Sequence, residues 1–357
     1  MEVPKKNPFS LQIDVSRFEK ASEEEKKQQD VMSESTTFLK DGMRKLMKNP
    51  LAVGSIIVLV LIILTIIIAP IVVPYGYSDI IKVNGKRDKS AKNLAPFEYS
   101  KMEQQYMEEG GEVFPHIMGT DSMCRDYFIR VVEGTKISLV VGLFASILVL
   151  IIGVLFGSIS GYSGGKVDLI MMRIVDIIYS LPDMLIIILL SVVLNETLAQ
   201  SNLKIVQSLG TNMISIFIVF GLLYWVGMAR LVRGEILKIK SNEYVLAAKA
   251  VGASSSRIIR THIIPNCISV IIITTALQIP SAIFTESFLS FLGIGVSIPM
   301  PSLGSLASDY RGQMTIPGRE YLFIIPALVI FLIVLSLNLL GQGLRDSFDP
   351  KLREVSK

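Results

Sequence analysis

The 357-residue sequence is poor in charge and in the side chains that build catalytic or metal sites. Only 18% of its residues are charged, against about 25% in a soluble domain. It has two cysteines, Cys124 and Cys267, and two histidines, His116 and His262. The topology predicted below places the members of each pair on opposite sides of a membrane. We therefore expect no disulfide framework, no metal site and no catalytic constellation. The net charge of +4 gives no reason to expect a nucleic-acid partner.

The sequence also lacks a nucleotide-binding loop. The segment 160–166 reads SGYSGGK, but a phosphate-binding loop needs Gly where Ser160 stands, and Ser or Thr where Val167 stands. The segment also lies at the end of a hydrophobic run rather than after a strand. We therefore expect no cofactor on this chain, so that any ATP and Mg²⁺ are bound by other chains.

Long hydrophobic runs dominate the sequence, which is 51% hydrophobic. A membrane-spanning helix needs about 20 mostly apolar residues, and proline inside such a run is tolerated because neighbouring helices satisfy the freed backbone groups. The sequence predicts an all-α, polytopic membrane protein of about six transmembrane helices. The predicted spans are Leu51–Val73, Ile137–Ser160, Ile177–Leu194 (interrupted by Pro182 and Asp183), Met213–Ala229, Ile263–Leu292 and Tyr321–Leu344.

Lysine and arginine in the short loops determine the predicted orientation. They concentrate before the first span and between the fourth and fifth spans, so both termini are expected in the cytoplasm of a cell-membrane protein. The predicted organisation is a cytoplasmic tail (1–50), a first transmembrane anchor (51–73), an extracellular loop (74–136), a five-helix core (137–345) with a cytoplasmic loop (234–262), and a cytoplasmic tail (346–357).

The end of the first tail has apolar residues at helical spacing. Phe38, Met43, Leu46 and Met47 recur beside several lysines and arginines. This pattern favours a helix that lies on membrane lipid. The alternative is a solvated tail.

Three glycines of the second span fall at four-residue intervals. Gly153, Gly157 and Gly161 form a smooth stripe on one helix face, which allows another helix to approach closely. The sequence predicts helix packing there, either within the chain or with a partner subunit.

Two carboxylates interrupt the hydrophobic runs. Asp183 follows Pro182 in the third span, and Glu286 lies late in the fifth. An unpaired carboxylate in a membrane is costly, which favours a functional role such as lining a translocation pathway. The alternative is a structural partner for serine hydroxyls or backbone groups at a helix end.

The stretch from the 234–262 loop to the start of the fifth span has the features of a helix–glycine–helix unit. Serine and asparagine residues can cap both helices, and Gly252 suits the left-handed residue that ends the first. Ala247 and Ala248 keep that helix thin, so a partner can approach it closely. Pro265 is expected to be the hinge into the fifth span. An amphipathic loop lying on lipid is the alternative.

This unit resembles the "EAA" loop of the permease subunits of type I ABC importers. Ala247, Ala248, Gly252 and Pro265 match the motif, and THIIPN at 261–266 resembles its end in the oligopeptide, dipeptide and nickel branch. Further blocks between residues 116 and 350 resemble the C-type permease of that branch in the same order. They include GTD at 119–121, GYSGG at 161–165, RIVD at 173–176 and ESFLSFLG at 286–293.

The resemblance implies a non-catalytic permease subunit of an ATP-driven importer, with oligopeptides as the first choice of substrate. It implies a homologous B-type permease, two ATPase subunits and an extracellular peptide-binding protein as partners, besides membrane lipid. The implied ATPase-coupling residues are Glu243, Leu246, Ala247, Ala248, Gly252, His262 and Pro265. Dipeptides, glutathione and nickel chelates stay open as substrates, and a secondary carrier or channel is the alternative class.

Two positions depart from the family pattern. The leading Glu of the loop motif is Leu246, and the Gly before Arg-Asp ahead of the second span is Cys124. Glu243 lies three residues before Leu246 on the same helical face, so we hypothesise that it takes the polar role. Unchanged transport-coupled ATP hydrolysis in a Glu243→Ala variant would contradict this hypothesis.

Overall fold

A computed structural model describes residues 38–200, 203–204, 206, 210–295 and 300–348. Most of the predicted tail 1–50 and most of the tail 346–357 therefore lie outside the described residues. Apart from one two-stranded hairpin and an isolated bridge, the described elements are helices.

The elements before the membrane core are α1 (Phe38–Lys48), α2 (Pro50–Val72), β1 (Lys82–Val83), β2 (Lys86–Arg87) and α3 (Lys101–Glu108). The core begins with α4 (Tyr127–Ser163), α5 (Gly165–Ser180) and α6 (Asp183–Ala199). It continues with α7 (Thr211–Val219), a π-helical turn (Phe220–Tyr224), α8 (Trp225–Ile239), α9 (Glu243–Ala250), α10 (Ser255–Ile258) and a second π-helical turn (Ile259–Ile263). The last elements are α11 (Ile264–Phe291), α12 (Leu303–Tyr310), a short 3₁₀ turn (Arg311–Gln313) and α13 (Tyr321–Phe348).

Five of the described helices are long and apolar enough to cross a membrane, and the bent pair α5 and α6 makes a sixth if it counts as one span. The five are α2, α4, the run from α7 to α8, the run from α10 to α11, and α13. This confirms the predicted all-α polytopic class. The helix predicted before the first span is present as α1, whereas its contact with lipid stays a prediction.

The second span begins at Tyr127 rather than at the predicted Ile137. Charged residues in this stretch break the hydrophobic run, but each has a partner: buried Arg130 pairs with Asp121, and Lys136 pairs with Glu133 at 2.9 Å. The predicted extracellular loop 74–136 is therefore too long, and its last part is the first turns of α4.

The predicted interruption of the third span is confirmed as a sharp bend. α5 ends at Ser180 and α6 begins at Asp183, and the segments Gly165–Ser180 and Met184–Ala199 make an angle of 91°. Pro182 has no N–H to donate and disfavours a helical conformation in the residue before it, which ends α5 there.

The glycine stripe packs within the chain, against α8. A Cβ atom added to Gly153 would lie 2.5 Å from Cβ of Met228, and one added to Gly157 would lie 2.5 Å from the carbonyl oxygen of Ala229. Gly161 is equally crowded, with α8 atoms about 3.0 Å away. The predicted close helix packing is confirmed, and the partner is α8 of the same chain.

Residues 74–126 fold into a small cap between α2 and α4. Its hairpin turns at Asn84 and Gly85, both at positive φ, as a two-residue turn of this kind requires. Beneath the hairpin, Ile81, Leu94 and Cys124 form a small buried cluster. The cap is joined to the second span because Asp121, within the cap, pairs with Arg130 of α4.

A buried charge network lies at the centre of the cap. His116 is fully buried, with Nδ1 2.8 Å from Asp126 and Nε2 3.0 Å from Glu103. Burial alone would lower the pKa of His116, but the hydrogen bonds to Asp126 and Glu103 outweigh it and raise the pKa to about 9. Burial alone would raise the pKa of Glu103, but hydrogen bonds from His116 and Ser100 hold it below its usual value.

Candidate functional site

The 234–262 loop contains a capped helix that ends in a glycine turn. Asn242 precedes α9 in an extended conformation, and Gly252 adopts φ +87° just after its end. The N–H of Gly252 donates to the carbonyl of Lys249, and the N–H of Ala253 donates to that of Ala248. These two bonds define a Schellman motif, in which the left-handed residue is usually glycine. The predicted helix–glycine–helix unit is confirmed.

One face of α9 is anchored to the membrane core. Val245 is 3% exposed and belongs to a buried cluster with Ile236 of α8 and Ile258 of α10. Ala248 packs against the same cluster. Ala248 is half-buried there, so only part of its side chain is accessible to a partner, and its coupling role stays a prediction.

The other face of α9 is exposed and apolar. Leu246 is 53% exposed and Val251 is 89% exposed, and Tyr244 and Ala247 are exposed beside them. We call Tyr244, Leu246, Ala247 and Val251 the loop ridge. Apolar side chains that project into water at a helix end indicate an interaction surface. Glu243 is also exposed, in the first turn of the same helix.

The second loop helix is continuous with the fifth span. α10, the π-helical turn and α11 form a single helical run, Ser255–Phe291. The expectation that Pro265 is a hinge is wrong. Proline lacks only an N–H, and at the second position of α11, after the π-helical turn, the helix continues through it. His262 lies half-buried in that turn, and its carbonyl accepts a hydrogen bond from Asn266 at 2.6 Å.

This continuity gives the loop a rigid attachment. Ile258, just before the π-helical turn, and Ile263, its last residue, are fully buried in a cluster with Val232 of α8 and Val149 of α4. Because interiors are close-packed, a displacement of α9 must move α8 and α11 with it. The loop ridge is therefore mechanically linked to the fourth and fifth spans.

Two arginine–aspartate pairs, which the sequence did not single out as site residues, join α5 to α8. Arg233 binds Asp168 through two hydrogen bonds of 2.6 Å, and Arg230 binds Asp176 at 2.7 Å. The Arg230 guanidinium also lies 4.1 Å from the ring centroid of Tyr179. A bidentate pair such as Arg233–Asp168 fixes geometry as well as charge. The available signal was the three-residue spacing of the arginines, which places both on one face.

Glu286 is a structural group and does not line a pathway. It is 0% exposed, and it accepts hydrogen bonds from Ser290 at 2.7 Å and from Ser138 at 2.9 Å. Ser138 also accepts from the N–H of Leu303, so the network joins α4, α11 and α12. The prediction of a pathway role for Glu286 is wrong, because serine hydroxyls enclose its carboxylate. Asp183 is the first residue of α6, and its side chain is outside the described part, so its pathway role stays a prediction.

Among the described residues, no group of three or more His, Cys, Asp or Glu side chains could hold a metal ion. The two cysteines are buried and unpaired.

The multi-pass fold and the helix–glycine–helix loop are those of a membrane permease. Residues 153–354 match the family described as "Binding-protein-dependent transport system inner membrane component", and residues 37–100 match "N-terminal TM domain of oligopeptide transport permease C". The chain belongs to this family of binding-protein-dependent transport permeases, as the motifs between residues 116 and 350 predicted.

Its curated relatives are similar over nearly their whole length. The chain is 38% identical over 342 residues to the oligopeptide transport system permease protein OppC of Bacillus subtilis, covering 96% of this chain and 99% of the relative. It is 38% identical to the dipeptide transport system permease protein DppC of the same organism, covering 89% and 88%. It is 39% identical to OppC of Escherichia coli, covering 90% and 93%.

Proposed function

We propose that the chain is the permease subunit of an ATP-driven peptide importer in the cell membrane, and that its loop ridge docks on a separate ATPase subunit. The observation that carries the proposal is the loop itself: an exposed apolar face on a helix whose other face is fixed to the fourth and fifth spans. Family membership and the printed names of the relatives support the importer class.

The exposed residues determine the proposed contact. A groove on the ATPase receives Leu246 and Val251, whose burial contributes about 1.5–3 kcal/mol for each fully covered side chain. Glu243 lies at the exposed start of α9, where it is free to meet a cation on the partner. The docking surface is thus mainly apolar, with one acidic position beside it.

ATP binding by the ATPase is coupled to the permease conformation because the ATP-bound ATPase binds one conformation more tightly than the other. ATP binding brings the ATPase subunits together, and this favours the permease conformation in which the two docking grooves are closest. The run from α10 to α11 moves with α9, so the fifth span changes position with the loop. The permease forms and breaks no covalent bond, and ATP and Mg²⁺ are bound by the ATPase chains.

The pathway is proposed to lie between this chain and a homologous B-type permease, with an extracellular binding protein delivering the substrate. The contacts between α1 and α13 support a common side for both termini, since Gly42 meets Phe348 and Gly343 meets Leu46. With six crossings, the 234–262 loop lies on that same side, and the lysines and arginines before the first span and in this loop favour the cytoplasm.

Peptides are the proposed substrate. Relatives at 38–39% identity are oligopeptide or dipeptide permeases, and a glutathione permease of Pectobacterium atrosepticum is 35% identical over 72% of this chain. Glutathione is itself a small peptide. The substrates in the names of these relatives therefore share a chemical class and differ in peptide length. A secondary carrier would also suit the broken third span, but family membership favours the ATP-driven class.

Purification and uptake test this proposal together. Solubilised in mild detergent, the tagged chain should bring down ATPase subunits. Cells lacking the chain should lose ATP-dependent uptake of a labelled series from dipeptides to longer peptides, and the chain should restore it. A chain that purifies without an ATPase, and supports uptake driven by an ion gradient instead, would contradict the proposal.

A further inference from the structure

An open groove lies beside α9, between the end of α4 and the start of the fifth span. Its volume is about 870 Å³, and its walls come from α4, from α9 and from α10 with the turn that follows. Leu155 and Ile159 are exposed apolar residues of its α4 wall, and the loop-ridge residue Leu246 lines the wall that α9 forms. The groove therefore has apolar side chains on both walls and one end at the 234–262 loop.

The loop end of the groove is cationic. Lys240, Lys249 and Arg260 line it, and the described lining residues include no acid. Lys240 donates to the carbonyl of Gly161 at 3.0 Å, and Arg260 donates to Ser256, so both are held in place. Lys249 is exposed and has no ion pair among the described residues. This arrangement fits a ligand with a negative head.

A buried hydroxyl on the α4 wall of the groove lacks a partner. Ser158 is 4% exposed and lines the groove, and its Oγ makes no hydrogen bond in the described structure. A buried polar atom without a partner carries an energetic cost, so its presence indicates a missing acceptor or donor. Ser158 lies about 7.5 Å along the axis from the end of α4 at Ser163, on the membrane side of the cations.

We propose that this groove binds an anionic diacyl phospholipid of the cytoplasmic leaflet. The phosphate lies among Lys240, Lys249 and Arg260, a glycerol ester carbonyl accepts from the Ser158 hydroxyl, and the acyl chains cover Leu155 and Ile159. The groove thus presents cations at its loop end, and a buried hydroxyl with apolar side chains on its α4 wall, which suit the charged head, the ester groups and the acyl chains of such a lipid. Negative lipids concentrate in that leaflet and are attracted by basic side chains at its surface.

The bound lipid connects the loop to the second span. α4 forms one wall of the groove and α9 and α10 form the other, so one lipid contacts both. The proposal rests on the orientation in the proposed function. Lipid retention is measured without transport, however, so the lipid proposal and the proposed importer function can be contradicted independently.

Native mass spectrometry of the full chain, purified with its partners from nanodiscs of phosphatidylcholine and phosphatidylglycerol, tests the site. Wild type should retain phosphatidylglycerol selectively. Each cation near a membrane surface is worth about fivefold in affinity, so Lys249→Gln with Arg260→Gln should lower retention about thirtyfold. The matched control, Lys238→Gln with Arg257→Gln, removes the same charge outside the groove and should change nothing.

Other variants and probes test the parts of the assignment. Ser158→Ala should lower retention of both lipids, because the ester carbonyl is common to them, and unchanged retention would overturn that contact. Inorganic phosphate lacks acyl chains and should not displace the lipid; displacement would overturn a lipid as the ligand. Absence of selectivity in wild type, or an equal loss in both double variants, would overturn the site.

Discussion

Replacing Gly252 with glutamate should abolish ATP-dependent peptide uptake while leaving the chain inserted in the membrane. Gly252 has φ +87° in the turn that ends α9, where a residue with a Cβ costs about 1–2 kcal/mol. That strain alone lowers the population of the native loop roughly tenfold. The new carboxylate also lies next to Val251, the most exposed member of the loop ridge, where burial in a partner would leave it without water.

The control for this variant is Gly252→Asn. Asparagine tolerates the left-handed conformation better than other residues and adds no charge, so it should keep most of the uptake. The measurement is uptake of labelled peptide alongside the amount of chain in the membrane fraction. Normal uptake by Gly252→Glu would contradict a docking role for this loop.

Replacing His116 with alanine should unfold the 74–126 cap. The substitution leaves Glu103 and Asp126 buried without their common partner, and breaking a buried pair in this way costs about 3–5 kcal/mol. Hydrogen exchange of the full chain should show loss of protection within residues 74–126 and none in α8. The matched control is His262→Ala, because that half-buried side chain has no such carboxylate pair among the described residues.

The same network predicts a pH dependence in wild type. The pKa of His116 is raised from 6.5 to about 9, so its stabilisation is complete below 6.5 and disappears as pH rises through about 9. The lowered pKa of Glu103 has the opposite effect on stability. Its stabilisation of the cap is lost as pH falls and the carboxylate is protonated. Hydrogen-exchange protection of the cap should therefore be greatest just below pH 6.5, decline as pH rises from 6.5 to about 9, and be lowest above that. A cap that stays equally protected above pH 9, or is unaffected by His116→Ala, would contradict this account.

Much of the fold could be predicted because it follows from local patterns. Hydropathy alone located the spans, since each must present apolar side chains to lipid along about 20 residues. The turn at Gly252 was predicted correctly because it depends on a left-handed backbone conformation, which glycine adopts more readily than other residues. The stripe of Gly153, Gly157 and Gly161 also identified a close helix contact, although not its partner α8.

The failures concern residues whose environment is set by distant parts of the chain. The first turns of α4 contain charges, and only the cap supplies Asp121 to neutralise Arg130. The sequence left Glu286 open between a pathway role and a structural role, because only the fold brings the distant Ser138 to its carboxylate. The half-burial of Ala248 likewise depends on Val245, whose packing against the core sets the rotation of α9.

The central claim is that the loop ridge is covered by an ATPase in the assembled importer. Val251→Cys tests it directly, because Val251 is 89% exposed in the chain alone and the natural cysteines are buried. A maleimide should label this thiol rapidly in the isolated chain and slowly once the ATPases are bound, whereas Lys166→Cys, exposed at the start of α5, should label equally in both. Equal labelling of Val251→Cys with and without the ATPases would contradict the account.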